Sequence, residues 1–535
     1  IIYHIDMSDA TTSTYTANYH KGVTVSAPGK VLLAGGYLVL ETPNAGFVIA
    51  ADKRFYTSVR CGGGDTKKKD EGKLLIRVES PQFHATWNYT YDRSNHRLIS
   101  FSDNESFNPF VEKTLRVCLI YLLPRQSSAI TITSLDILIR ADNDFYSVMP
   151  HFPTNSNNNR TPAEVSALPR FLPCPIDPDT GKVVVHKTGL GSSAALTTSL
   201  VGALVHYFRY SQQQQHDEMK KSSLSTMIHN LAQICHCHAQ GKVGSGFDVS
   251  AACHGSHVYR RFPKCLLPDL LQQLDEYEKH SIKDEKNDAG TDENKNKKHH
   301  LMLYETLRSS VDLVPWKEDM VEPLNLPNNL QILLADIRGG SESPSMARTV
   351  LKWKAECNKQ QNQEEQKRNI NNNREINNTS IHQNENNEIR HWAALSKLNP
   401  KIIESIRILT EGNDIIDYDS LSTMPASEWS SNSPLSSLRN DFSQIRNELR
   451  SMGEAAGVPI EPPPQKELCD ATSKLPGVIT ALVPGAGGYD AVACLYIDRP
   501  KVVESIAELW SKWKTPVVCP LAVRAGDAGI RLEIE

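Results

Sequence analysis

The sequence predicts an α+β protein of two units. Helical and strand patterns intermingle in both halves, without the regular beat of a parallel doubly wound sheet. Between the halves lies Asp284 to His300, rich in Asn, Lys and Asp and poor in apolar residues, a composition expected to be disordered. The 535 residues are enough for two or three domains with sizeable cores. These observations divide the chain into an N-terminal unit over 20–265, a linker over 266–324 carrying the polar insertion, and a C-terminal unit over 325–535.

Taken in order, Val23 to Ala27 reads as a short strand stopping at Pro28-Gly29, where Lys30 follows. Val31 to Ala34 and Tyr37 to Glu41 read as further strands separated by the Gly35-Gly36 turn, and Phe47 to Ala50 and Phe55 to Val59 continue the series. Lys73 to Glu79 and His84 to Tyr91 form an expected hairpin. Phe110 to Leu123 is apolar enough for a buried helix, and Ala129 to Arg140 alternates as a strand does. Pro150 to Asp179, rich in Pro and Asn, is a long loop leading to a short β-branched strand, Val183 to Val185. Two helices, Ala194 to Tyr210 and Leu224 to Gln240, are separated by a polar loop at Ser211 to His216; a helix start at Val249 to Cys253 and a strand at His257 to Tyr259 follow. In the second unit a buried strand, Leu330 to Ile337, precedes a helix over Met346 to Ala355. Residues 358–390, nearly half Asn and Gln, have little to bury and form a low-complexity insertion within a helical pair that resumes at Trp392 to Leu398. Helices at Ser437 to Ala456 and Pro500 to Lys512 flank strands at Val478 to Val483 and Ala491 to Ile497, and two strands close the chain.

Composition excludes several classes. A net charge of −4 gives no global attraction to nucleic acid or to an anionic membrane, so any basic site is local. No apolar run reaches bilayer length. Ile1 to Met7 has no basic flank followed by an apolar core, so no secretory signal is expected. Eleven scattered cysteines then read as reduced thiols of a cytoplasmic protein. Cys235-His236-Cys237-His238 resembles a metal cluster. On a helix, however, successive side chains point about 100° apart and do not converge on one ion.

The segment from His186 to Leu196 is the one around which the chain is organised. Gly189, Leu190, Gly191, Ser192 and Ser193 join a strand to a helix whose first N–H groups are unpaired and lie at the positive end of its dipole, which suits a phosphate. An ordinary strand–turn–helix corner is the alternative. The segment is no Walker A loop, because Lys187 precedes the glycines whereas a P-loop lysine follows them. Two further glycine loops stand out, Pro28-Gly29-Lys30 and Pro484 to Gly488.

Together these three loops resemble the three motifs of the GHMP kinase superfamily. Ser26 to Glu41 (SAPGKVLLAGGYLVLE) and Gly241 to Ala252 (GKVGSGFDVSAA) are similar to the phosphomevalonate kinases of fungi and plants, and the resemblance runs from about Val23 to about Leu532. It implies an N-terminal domain like ribosomal protein S5 domain 2, a ferredoxin-like C-terminal domain, and a cleft between them that holds both substrates. The implied reaction converts ATP and 5-phosphomevalonate into ADP and 5-diphosphomevalonate, on the mevalonate route to isoprenoids and sterols such as ergosterol. Mevalonate kinase, or another GHMP kinase acting on an alcohol, is the alternative.

The resemblance assigns residues too. Lys187, Thr188, Gly189, Leu190, Gly191, Ser192, Ser193 and Ala194 are expected at the ATP phosphates, and Ser193, or alternatively Ser192, at Mg²⁺. Lys30 matches the first-motif lysine that stabilises the transferring phosphoryl group. Asp248 matches the catalytic aspartate, a base towards alcohols and here expected to orient Lys30 and the acceptor. Lys242 is the candidate for the substrate phosphate; Ser245, Arg338, Ser341, Ser343, Gly485, Ala486 and Gly487 complete the expected substrate site. The acceptor is a phosphate monoester whose second pKa is about 6, so it is already mostly a dianion at neutral pH. The obstacle is charge repulsion, so positioning and cationic screening should outweigh base catalysis. No nucleic-acid or membrane partner is expected, and the sequence sets no oligomeric state.

Overall fold

The computed structural model describes residues 22–62, 72–101, 107–125, 132–152, 161–210, 221–286, 293–316, 319–337, 343–372, 387–412, 416–431, 433–489 and 491–533. The N-terminal half carries β1 (Val23–Ala34), β2 (Ala45–Cys61), β3 (Lys73–Ser80), β4 (Ala85–Asp92), β5 (Arg97–Ser100), α1 (Pro109–Leu122), β6 (Ser134–Ala141), α2 (Pro162–Ser166), α3 (Ser192–Tyr210), α4 (Lys221–Gln240), α5 (Phe247–His254), β7 (His257–Arg260), α6 (Pro268–Lys286), α7 (Glu293–Arg308) and β8 (Val321–Pro323). The C-terminal half continues with β9 (Leu330–Ile337), α8 (Ser343–Asn372), α9 (Asn387–Glu411), α10 (Tyr418–Leu421), α11 (Pro434–Ala456), α12 (Pro463–Thr472), β10 (Val478–Leu482), β11 (Ala491–Ile497), α13 (Pro500–Lys512), β12 (Val518–Leu521), β13 (Ala525–Gly526) and β14 (Arg531–Glu533). This is the expected α+β architecture.

The first sheet runs β14-β1-β2-β6-β3-β4-β5, with β7 and β13 also on β2 and β8 on β7. All its pairings are antiparallel except β3 with β6. β3 and β6 alternate buried and open residues, as strands with one solvated face do. β1 is buried almost throughout, with Thr24 and Ser26 buried beside its apolar residues. β1 does not stop at Pro28-Gly29 as expected. It passes through a bulge between Pro28 and Lys30, where a residue without an N–H costs no ladder bond. The released N–H of Lys30 donates to the Leu190 carbonyl at 2.9 Å, tying the strand to the glycine loop.

In the second sheet, β10-β11-β9-β12, all pairs are antiparallel. β9 shows how one strand serves two cores. Ile332 and Leu334 face the large core shared with α9 and α11, while Leu333, Ala335 and Ile337 face a smaller one with Leu468, Val502, Ile506 and Trp510 of α12 and α13. That large core also contains β1 and β2, so the two halves share one apolar interior.

Several expectations need correction. Val183 to Val185 forms no strand; a single bridge, Ile176 to Val183, is all that pairs there, and its residues bury too little surface to hold a ladder. Leu38–Leu40 is one turn of 3₁₀ helix following Tyr37 at φ 63°, not a strand. Residues 266–324 are not a plain linker. α6 and α7 are helical, including Asp284 to Lys286 and Glu293 to His300, and β8 extends the first sheet. The C-terminal unit does not keep the chain to its end, because β13 pairs with β2 and Thr24 faces Glu533 across β1–β14. The 211–216 loop and the centre of the 358–390 insertion, 373–386, lie outside the described residues. All eleven cysteines are free thiols.

Candidate active site

The glycine loop is anchored from below. Thr188 is fully buried and its hydroxyl donates to the Asp144 carbonyl at 2.5 Å, while Leu190 drives its side chain into the core. Gly189 and Gly191 stand at φ 81° and 76°, in the left-handed region that favours glycine. A methyl group on Gly191 would press on the Lys30 side chain at 3.1 Å. The first helical bond of α3 runs from Ala195 N–H to the Gly191 carbonyl, which leaves the first-turn N–H groups without intrahelical partners.

Lys30 lies across this loop. Its Nζ donates to the Gly189 carbonyl at 2.7 Å and stands 5.6 Å from the Phe247 ring. Burial pushes its pKa below the ordinary lysine value, and the Asp248 charge pulls it partly back.

Asp248 sits in the first turn of α5, where its Oδ1 accepts the Val249 N–H at 3.0 Å. The preceding loop is fixed by two side chains. Arg261 donates to the carbonyls of Leu40 and Gly244, each at 2.6 Å, and the Tyr259 hydroxyl donates to the Ser245 carbonyl at 2.8 Å. Gly246, at φ 89°, packs so tightly that a Cβ would stand 2.6 Å from the Tyr259 hydroxyl.

His236 of α4, 2% exposed, comes between these walls. Its Nε2 is 3.1 Å from Ser193 Oγ, 3.2 Å from Gln240 Nε2 and 3.8 Å from Asp248 Oδ2. Its ring pKa is lowered by burial, with Asp248 opposing and Lys242 and Lys187 adding to the fall. His238, two residues on, faces away. It meets Asp275 and Glu278, whose charges Lys113 and Arg116 offset, so the Cys235–His238 run indeed splits between two environments.

From the other half, the Pro484–Gly488 turn folds over β1. The Tyr37 hydroxyl donates to the Ala486 carbonyl at 2.6 Å, and Gly488 N–H donates to the Ile460 carbonyl at 3.0 Å. Between the halves lies a cavity of about 670 Å³. Among the described residues its walls carry Lys30, Lys187, Lys242, Arg261 and Arg348 and one acid, Asp248. Lys242 is held below its ordinary pKa by burial and by the Arg348 charge, against the pull of Asp248.

The cavity thus collects Lys30, Lys187, Thr188, Gly189, Leu190, Gly191, Ser192, Ser193, Lys242, Ser245, Asp248, Gly485, Ala486 and Gly487. Ala194 is not on its wall; its side chain is buried in the core. Thr188 and Leu190 contribute backbone only, since their side chains are committed elsewhere. Arg338 and Ser341 lie outside the described residues, and Ser343 begins α8 with its side chain likewise undescribed. The sequence reading missed His236, Gln240 and Arg348. In the sequence His236 stands out only as part of the Cys235–His238 run, although its helix leads straight into the Gly241–Asp248 loop.

Residues 165–256 match the model of the GHMP kinases N terminal domain, and residues 435–513 that of the GHMP kinases C terminal domain. The chain is 32% identical to phosphomevalonate kinase erg8 of Aspergillus fumigatus, covering 95% of this chain and 96% of that one. It is also 32% identical to a protein of Arabidopsis thaliana named phosphomevalonate kinase, peroxisomal, over 96% of both chains. Among solved structures, the Lin0012 protein of Listeria innocua superposes with a TM-score of 0.55 at 16% identity, over 96% of this chain and 100% of that one, which shows a common fold. With both halves matched and nearly the whole length aligned, the chain belongs to the phosphomevalonate kinase family of the GHMP kinases.

Proposed function

We propose that the protein transfers the γ-phosphoryl group of ATP to (R)-5-phosphomevalonate, giving ADP and (R)-5-diphosphomevalonate. The observation that carries this reading is the charge of the cleft: among the described residues, five cations and one carboxylate line the cavity. Two polyanions must meet in this reaction, and such a lining offsets their repulsion.

The first-turn N–H groups of α3 and the Gly189–Ser193 backbone would hold the nucleotide phosphates. Lys30, resting on Gly189 at the mouth of the loop, would stabilise the charge on the transferring group. Lys242, supported by Arg348, would take the acceptor phosphate, with Ser245 and the Gly485–Gly487 turn closing over the rest of the acceptor. Asp248, whose charge raises the Lys30 pKa against the effect of burial, would help hold Lys30 as a cation and orient the acceptor. Little proton abstraction is required, because the attacking oxygen belongs to a dianion.

Mg²⁺, a hard cation that takes oxygen ligands, fits the donor set here, and when bound with ATP it would screen the β- and γ-phosphates. Ser193 is the better-placed hydroxyl. Both line the cavity, but Ser192 is 8% exposed and bonded to Tyr146, whereas Ser193 is half-buried. No helix among the described residues is long and apolar enough to cross a membrane. We place the activity in the cytoplasm, in sterol (ergosterol) synthesis through the mevalonate route.

The test is ADP release by the purified chain with ATP and Mg²⁺, comparing phosphomevalonate with mevalonate. Turnover of phosphomevalonate alone supports the reading. Preference for mevalonate would make the chain an alcohol kinase of the same fold, and release with neither acceptor would sink both.

A further inference from the structure

Three helices deliver one polar group each to the back wall of the cleft: Ser193 from α3, His236 from α4 and Asp248 from α5. The first and last belong to motifs far apart in sequence. His236 stands within reach of both, with Nε2 at 3.1 Å from Ser193 Oγ and 3.8 Å from Asp248 Oδ2. Its own position is over-determined. The ring is almost fully buried, lies 5.6 Å from the Phe110 ring, and has the Gln240 side-chain amide at 3.2 Å from the same nitrogen.

We infer that His236 is a positioning residue for phosphoryl transfer, whose Nε2 sets the Ser193 hydroxyl and the Asp248 carboxylate at a fixed spacing on the back wall. The inference rests on the kinase reading proposed above. With the ring proton on Nδ1, the single lone pair of Nε2 accepts the hydroxyl hydrogen of Ser193, the nearer partner, and shares it with the amide hydrogen of Gln240. The lone pairs of Ser193 Oγ are then left facing the cleft. The same nitrogen stands opposite the Asp248 oxygen that does not accept Val249 N–H, so it limits how far that carboxylate can swing towards α3. His236 need touch neither substrate. Its contribution is to alignment, which in phosphoryl transfer is most of catalysis.

A paired substitution tests this. Gln at 236 places an acceptor where Nε2 stands, whereas Asn places one near Nδ1; both are polar and of similar bulk. His236→Gln should keep kcat within about 5-fold of wild type, and His236→Asn should lose about 10- to 100-fold, the usual cost of removing an orienting partner. Both should retain the KM for phosphomevalonate within about 3-fold, since the acceptor pocket is untouched. Thermal unfolding and calorimetric titration with MgADP, run on the same samples, report folding and nucleotide binding apart from turnover. Equal losses in the two variants, a larger loss in Gln than in Asn, or no loss in either would overturn the inference. Wild-type protein assayed alongside separates this result from the broader one, because only an inactive wild type would remove the kinase reading and the inference with it.

Discussion

Lys30 Nζ donates to the Gly189 carbonyl at 2.7 Å, so the first-motif lysine already rests on the loop proposed to hold the nucleotide. The β1 bulge makes this possible, since the Lys30 main chain is itself bonded to Leu190. A preset cation needs little reorganisation when charge develops on the transferring group. Lys30→Met should therefore lower kcat about 100- to 1,000-fold, comparable to removing a preorganised donor elsewhere. The melting temperature should change little. Stopped-flow or coupled assays of ADP release check this, and a variant within 5-fold of wild type would leave Lys30 without a catalytic role.

The pH dependence follows from the same pair of side chains. Lys30 acts as a cation, so activity falls as pH rises through its pKa. Burial has moved that pKa below the ordinary lysine value, and Asp248 is the group that raises it again. Asp248→Asn removes the raising charge. The alkaline limb of kcat against pH should then move to lower pH in the variant than in wild type, in addition to any fall in the plateau. A limb that stays in place, or moves to higher pH, contradicts the coupling.

Lys242 and Arg348 approach the cavity from opposite halves, and the Arg348 charge disfavours that of Lys242 until an anion lies between them. A phosphate monoester dianion is such an anion. Charge-assisted hydrogen bonds of this kind contribute about 1.5–3 kcal/mol. Lys242→Ala should accordingly raise the KM for phosphomevalonate about 10- to 100-fold, while the KM for ATP stays within about 3-fold. Initial-rate measurements with each substrate varied in turn distinguish this from a general loss, in which both constants would rise together.

Local signals in the chain carried much of this arrangement. Helix α1 was visible as a periodic apolar run, α13 as Pro500 at its first turn with amphipathic spacing behind it, and the β3–β4 hairpin as two runs around a short turn. The three glycine loops were legible for a physical reason: left-handed φ and close backbone approach leave few alternatives to glycine. Pairings between distant segments were not. Nothing local in Arg531–Glu533 says that it adds a strand beside Val25, and Pro28 read as a stop because a bulge is defined by its partner strand. His236 and Arg348 stayed hidden because a buried histidine and an exposed helical arginine are ordinary in isolation. Their meaning comes from what the other helices place beside them.

Gly246 offers a test of how much the fold of the Gly241–Asp248 loop matters to the site. At φ 89° an alanine is strained, and its methyl group would stand 2.6 Å from the Tyr259 hydroxyl and 2.7 Å from Phe262 Cε1, both in buried rings with little room to retreat. Gly246→Ala should cost about 1–3 kcal/mol of stability, read by thermal or denaturant unfolding. The strain would be relieved most readily by moving the loop, since its far side borders the open cavity. That displacement carries Ser245 and Asp248 with it, and misplacement on the order of 1 Å in a phosphoryl-transfer site is enough for a loss of about 100-fold. The variant should therefore lose activity well beyond its loss of stability, at temperatures where it is fully folded. Wild-type turnover in the folded variant would mean that the loop adapts without moving Asp248.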